Sequence, residues 1–147
     1  MTWAGQMAFY SLEPEVAGEW GDETVADVSV HPPRVQRLHY QFDGWLGDAL
    51  LESFPCYIVS NELGASLLAS GLTGFQLEDC TVSKSSQFDE LYPGRQLPVF
   101  KWLRVSGTPG QDDFGISSDN ELVVSMAAKS VLEEHQVEHC EVAPWSS

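Results

Sequence analysis

Basic residues are scarce in this chain: 7 Lys and Arg stand against 22 Asp and Glu in 147 residues, a formal net charge of −15. The first 33 residues carry six acids and no Lys or Arg. A field of that sign repels nucleic-acid phosphates and anionic lipid, which makes direct nucleic-acid binding the least favoured role and speeds the approach of a basic protein. No stretch approaches 18 apolar residues, so no membrane-crossing helix is expected. Cysteine is sparse too. Cys56, Cys80 and Cys140 are widely spaced and form no C-x-x-C, a pattern that is neither a disulfide framework nor a zinc ribbon and that suits a reducing compartment. The first residues, M-T-W-A-G-Q-M-A-F-Y, lack the basic and apolar regions of a signal peptide, so a cytoplasmic protein is expected.

What is present fits one folded domain. The composition is 43% apolar and 20% charged, which is globular rather than disordered. A chain of this length buries roughly 68–70% of its unfolded surface and needs neither metal nor disulfide to fold. A-F-Y-S-L at 8–12 reads as a first strand, followed by acids at Glu13, Glu15, Glu19 and Asp22. T-V-A-D-V-S-V at 24–30 reads as strand or loop and stops at His31-Pro32-Pro33, where proline cannot donate to a ladder. V-Q-R-L-H-Y-Q-F at 35–42 alternates as one half-buried strand. W-L-G-D-A-L-L-E-S-F at 45–54 places Trp45, Ala49, Leu50 and Phe54 near helical spacing, with Asp43 as cap and Pro55 as stop.

Beyond it, Cys56 to Val59 reads as a buried strand, and Leu63, Leu67 and Leu68 as the inner face of a helix closed by Gly71. Residues 73–82 and 97–107 read as strands, 84–97 as one helical turn at most, and 108–115 as an acidic loop. Strand 121–124, helix 126–135 and strand 137–142 close the chain. The expected fold is therefore α+β (mixed α/β), with a mixed or mostly antiparallel sheet, two or three short helices and two strand-serine-helix-strand units.

Those two units repeat. Shifting the chain by 65 positions carries Ser60 onto Ser125, Val59 onto Val124, Ile58 onto Val123, Leu67 onto Leu132 and Leu72 onto Val137. A serine between strand and helix raises the possibility of a nucleophile. A nucleophile elbow needs glycine two residues before and two after, yet Ile58 and Glu62 flank Ser60, and Val123 and Ala127 flank Ser125. Both serines therefore read as helix N-caps, without the Glu or Gln of a capping box.

Other constellations are equally weak. His135 and His139 have the H-x-x-x-H spacing of a helical metal site, but His139 falls beyond the helix end, so no metal is expected; His31 and His39 lack partners in pattern. Asp113-Phe114-Gly115 spells the kinase magnesium triplet without any of its companion motifs. No catalytic residue and no cofactor is expected.

A surface remains. Glu19-Trp20-Gly21-Asp22 and Asp43-Gly44-Trp45 set tryptophan beside acid, and Asp112-Asp113 adds a second acidic loop. Aromatics anchor interfaces while carboxylates steer a basic partner. The competing reading makes Trp45 core and Trp20 a loop staple.

The order of F-D-G-W-L-G-D-A-L-L-E-S-F-P at 42–55, I-V-S at 58–60, S-S-Q-F-D-E-L at 85–91, L-P-V-F-K-W-L at 97–103, D-D-F-G at 112–115 and L-V-V-S at 122–125 resembles bacterial immunity proteins of polymorphic-toxin systems. The resemblance spans about residues 35 to 142 and implies a cytoplasmic protein that binds a cognate toxin and occludes it; it carries over no catalytic residues. Two alternatives stand beside it: a small enzyme that reverses a toxin's modification, and a structural or regulatory domain of phage or secretion machinery.

Overall fold

The computed structural model describes residues 8–147. In chain order the elements are β1 (Phe9–Glu13), β2 (Gly18–Trp20), β3 (Val25–Asp27), β4 (Arg34–Arg37), β5 (His39–Phe42), β6 (Leu50–Ser53), β7 (Cys56–Ser60), α1 (Asn61–Ala69), β8 (Phe75–Glu78) and β9 (Thr81–Lys84). They continue with α2 (Ser86–Leu91), β10 (Phe100–Val105), β11 (Phe114–Ile116), β12 (Leu122–Ser125), α3 (Met126–Glu133) and β13 (Glu141–Trp145). Two four-stranded antiparallel sheets, in the orders β6-β7-β10-β8 and β11-β12-β1-β13, form the body. A smaller sheet, β2-β5-β9, has one parallel pair, β5 with β9, and β3 pairs with β4. The fold is thus α+β and mostly antiparallel, with three short helices among the described residues.

The sheet containing β7 is covered on both faces, which explains why C-Y-I-V is apolar throughout rather than alternating. Tyr57 and Val59 face a core shared with Leu63 and Leu67 of α1, Leu103 of β10, and Phe114, Leu122, Val124 and Leu132 of the other half. Cys56 and Ile58 face a second core made by Tyr40, Phe42, Phe88, Phe100 and Trp102. Its aromatic rings meet edge-on or tilted, as Phe42 does with Phe88 at 6.4 Å and with Phe100 at 5.3 Å.

The 65-residue repeat extends to topology and register. In each half a hairpin leads through a serine into a helix and then into a strand: β6-β7-α1-β8 and β11-β12-α3-β13. In each, the two strands flanking the helix are separated by an antiparallel strand donated by the other half, β10 in the first sheet and β1 in the second. Phe100 pairs with Ser60 as Phe9 pairs with Ser125, and Leu103 pairs with Leu77 as Leu12 pairs with Val142. Even the entry hydrogen bonds match: the Asn61 amide donates to the Val99 carbonyl at 2.8 Å and the Met126 amide to the Ala8 carbonyl at 3.1 Å. The two halves are thus arranged as two copies of one unit with their first strands exchanged.

The serine caps are present as expected. Ser60 Oγ accepts from the Leu63 amide at 3.2 Å and Ser125 Oγ from the Ala128 amide at 3.1 Å. Ser85 does the same for α2 through the Phe88 amide at 3.2 Å, a third serine cap beyond the two expected. Ser125 has a second task, since its hydroxyl donates to Asp113 Oδ1 at 2.6 Å. Ser60→Ala should cost about 1 kcal/mol, a lost cap. Ser125→Ala should cost more, about 2 kcal/mol, because a bond to a carboxylate goes with it. Urea unfolding of both variants checks the order, and equal costs would mean the Asp113 bond contributes nothing.

Several expectations fail for identifiable reasons. Residues 45–54 are not a helix: Gly47 has φ +108, and the segment ends in β6, paired with β7. Leu50 and Leu51 are both fully buried, one in each core, which adjacent residues achieve in a strand between two cores. The single strand at 35–42 divides at Leu38 into β4 and β5, and 73–82 divides at Asp79-Cys80 into β8 and β9; in both places the chain crosses from one sheet to another. Leu68 lies on the outer face of α1, 61% exposed, and Val99 precedes β10, 65% exposed. The last strand begins at Glu141 rather than 137, because the loop before it is held by Asp48.

Candidate functional site

The acid-and-tryptophan residues divide into two groups in space. Glu15, Val16, Glu19, Asp43, Trp45, Leu46, Leu91 and Tyr92 line one open groove between the loop after β1, the loop after β5 and the end of α2. Val16, Leu46 and Leu91 are 67%, 56% and 58% exposed there. Trp45 is its fixed wall. Its ring meets Phe42 and Phe100 edge-on at 6.5 and 5.9 Å, its indole N–H donates to the Asp48 carbonyl at 2.9 Å, and the Arg95 guanidinium lies 4.6 Å over its face. Trp45 is therefore both core packing and groove wall. Trp20 is half-buried against the second core and Asp22 is exposed on the turn after β2; neither lines the groove.

Asp112 and Asp113 are employed internally. Asp112 Oδ2 accepts from the Thr108 amide at 2.7 Å, closing its own loop. Asp113 Oδ2 accepts from the Thr73 amide at 2.9 Å and from the Thr73 hydroxyl at 3.2 Å, while Oδ1 takes the Ser125 hydroxyl. This carboxylate ties the loop after α1 to the start of α3. The loop itself packs on the outer face of its sheet, where a Cβ on Gly115 would collide with the Pro109 backbone.

The second half has a corresponding clasp. Asp48, fully buried, accepts from the Glu138 amide at 3.0 Å and the His139 amide at 2.6 Å, and from His139 Nδ1 at 3.1 Å. Thr73 and Glu138 are themselves 65 positions apart, as are Asp48 and Asp113, so the loop between helix and last strand in each half is pinned by an aspartate from the hairpin entry of the other half. That hydrogen bond to Asp48, reinforced by the carboxylate's charge, raises the His139 pKa above the usual imidazole value. Glu15 completes the cluster. One oxygen of each carboxylate and one ring nitrogen of His139 all lie within 4.8 Å of one another. Glu15 Oε2 accepts from the Leu46 amide at 2.7 Å, whereas Oε1 is buried without a hydrogen-bond partner among the described residues. Nothing in local sequence joins this trio, since the pattern places Asp48 inside a helix and His139 outside one.

The remaining nucleophile candidates are chemically quiet. Burial pushes the Cys56 thiol up to about 12 and the Cys80 and Cys140 thiols up to about 11, so all three stay protonated near neutral pH. His39 is tied into structure: Nδ1 accepts from the Glu23 amide at 3.1 Å, which leaves Nε2 to donate to Ser83 Oγ at 2.7 Å. His135 Nε2 lies 2.9 Å from Ser66 Oγ, linking the end of α3 to α1. Among the described residues no helix is long and apolar enough to cross a membrane. No protein-family model matches the chain, and no curated protein matches it.

Proposed function

We propose that this protein is a non-catalytic immunity protein that acts in the cytoplasm by binding a basic toxin and occluding it, with the groove beside Trp45 as its contact surface. The observation that carries this reading is the groove's composition: exposed Val16, Leu46 and Leu91 lie among Glu19 and Asp43, against a tryptophan already fixed in place. Apolar side chains surrounded by carboxylates suit a partner that offers an apolar anchor ringed by Lys and Arg. A pre-positioned wall lowers the ordering cost of binding. The net charge of −15 supplies steering from a distance. Asp112 and Asp113 both accept internal hydrogen bonds, so the groove, rather than the acidic loop at 108–113, is proposed as the principal contact surface.

The test is titration against the toxin encoded beside it. Occlusion should protect at one to one, and the association rate should fall as salt rises from roughly 50 to 500 mM. The double reversal Glu19→Lys with Asp43→Lys should slow association about tenfold while the fold, followed by circular dichroism, persists. Protection at substoichiometric amounts would replace occlusion by catalysis; an unchanged association rate in the double variant would remove the groove from the interface.

A further inference from the structure

We propose that Glu15, Asp48 and His139 bind a divalent transition-metal ion. The three come from the loop after β1, the loop before β6 and the loop before β13, and converge within 4.8 Å. Two of them are carboxylates taken out of water: Glu15 is 8% exposed and Asp48 fully buried. Burying like charges together is costly unless something positive answers them. Among the described residues the only cationic partner of Asp48 is His139, and Glu15 Oε1 has no partner at all. A buried carboxylate with one unpartnered oxygen, beside a second carboxylate and an imidazole, marks the place where a cation would be most favoured.

One pair of donors already stands at ligand spacing, with Glu15 within 4.8 Å of both. Two donors about 2.1 Å from one ion, at tetrahedral or octahedral angles, lie about 3.0–3.4 Å apart; His139 Nδ1 and Asp48 Oδ1 are 3.1 Å apart, joined by a hydrogen bond whose proton a bound ion would displace to solvent. Supporting bonds are already in place, with the Leu46 amide on Glu15 Oε2 and the Glu138 amide on Asp48 Oδ1. Such bonds orient ligating carboxylates and raise affinity. The His139 side chain is 43% exposed, which provides an entry path and leaves remaining coordination positions to water. One imidazole with two carboxylates suits Zn²⁺ or Mn²⁺ better than the all-oxygen sets of Ca²⁺ and Mg²⁺. This site stands independently of the toxin-binding reading, and its test needs no toxin.

The full-length protein, stripped with a chelator, is titrated with Zn²⁺ by calorimetry in the presence of excess Mg²⁺. One Zn²⁺ per chain is expected, with His139→Ala and Glu15→Gln each weakening binding about 10- to 100-fold and Glu138→Gln leaving it unchanged. Co²⁺ should give visible absorption bands in the wild type that vanish in His139→Ala, a change at a partly exposed side chain that leaves the core intact. Absence of Zn²⁺ binding, binding abolished by Mg²⁺, or equal affinity in wild type and His139→Ala would each overturn the site, the last two by showing diffuse attraction to surface acid.

Discussion

Leu67→Ala and Leu132→Ala should each lower stability by about 2–5 kcal/mol, and by nearly the same amount as each other. Both side chains are almost wholly buried, on the inner faces of α1 and α3, in the core where the two halves meet. They occupy equivalent places, 65 positions apart, one turn beyond Leu63 and Ala128. Each truncation removes the same three carbons from a core whose neighbours, Val59 and Val124 among them, are also matched across the halves. Because α1 packs on α3, the two cavities share walls, and the double variant should depart from additivity by at least about 0.5 kcal/mol. Urea unfolding with a common slope measures all three. A loss below about 1 kcal/mol at either leucine would contradict the packing described.

Asp48→Ala should cost about 3 kcal/mol, an unusual figure for a polar residue in a loop. The carboxylate receives two backbone amides and an imidazole, and its removal strands the Glu138 and His139 N–H groups in a part-buried seam. The effect should spread. Freed from Asp48, the segment from Gln136 to Cys140 loses its hold on the approach to β13, so its amides should exchange with solvent far faster. Asp48→Asn, which keeps one acceptor oxygen, should fall between wild type and alanine. A change under 1 kcal/mol in Asp48→Ala, with exchange in 136–140 unaltered, would show that the clasp is ornamental.

These two sites illustrate what was legible beforehand. Serine caps and buried leucines at helical spacing are local signals, and Ser60, Ser125, Leu63 and Leu67 stand where the pattern put them. The repeat was legible as an offset of 65 but not as an exchange of strands, because pairing of β1 with β12 and β13 joins opposite ends of the chain and leaves no mark on local periodicity. Leu50 and Leu51 misled for a related reason: a strand buried on both faces has no period to detect. The Glu15, Asp48 and His139 cluster was invisible because His139 lies 91 positions from Asp48. Asp113 read as a surface charge since nothing in D-D-F-G announces a partner at Thr73, 40 residues earlier.

Exchanged first strands have a consequence for how the molecule comes apart. Each half lacks the middle of its own sheet, so severing the backbone in the irregular stretch between α2 and β10 would not release two independent domains. It would leave two incomplete fragments, each with a gap shaped for a strand of the other. The protein is in this sense a clasped pair held in one chain, and its two pieces are natural partners for reassembly.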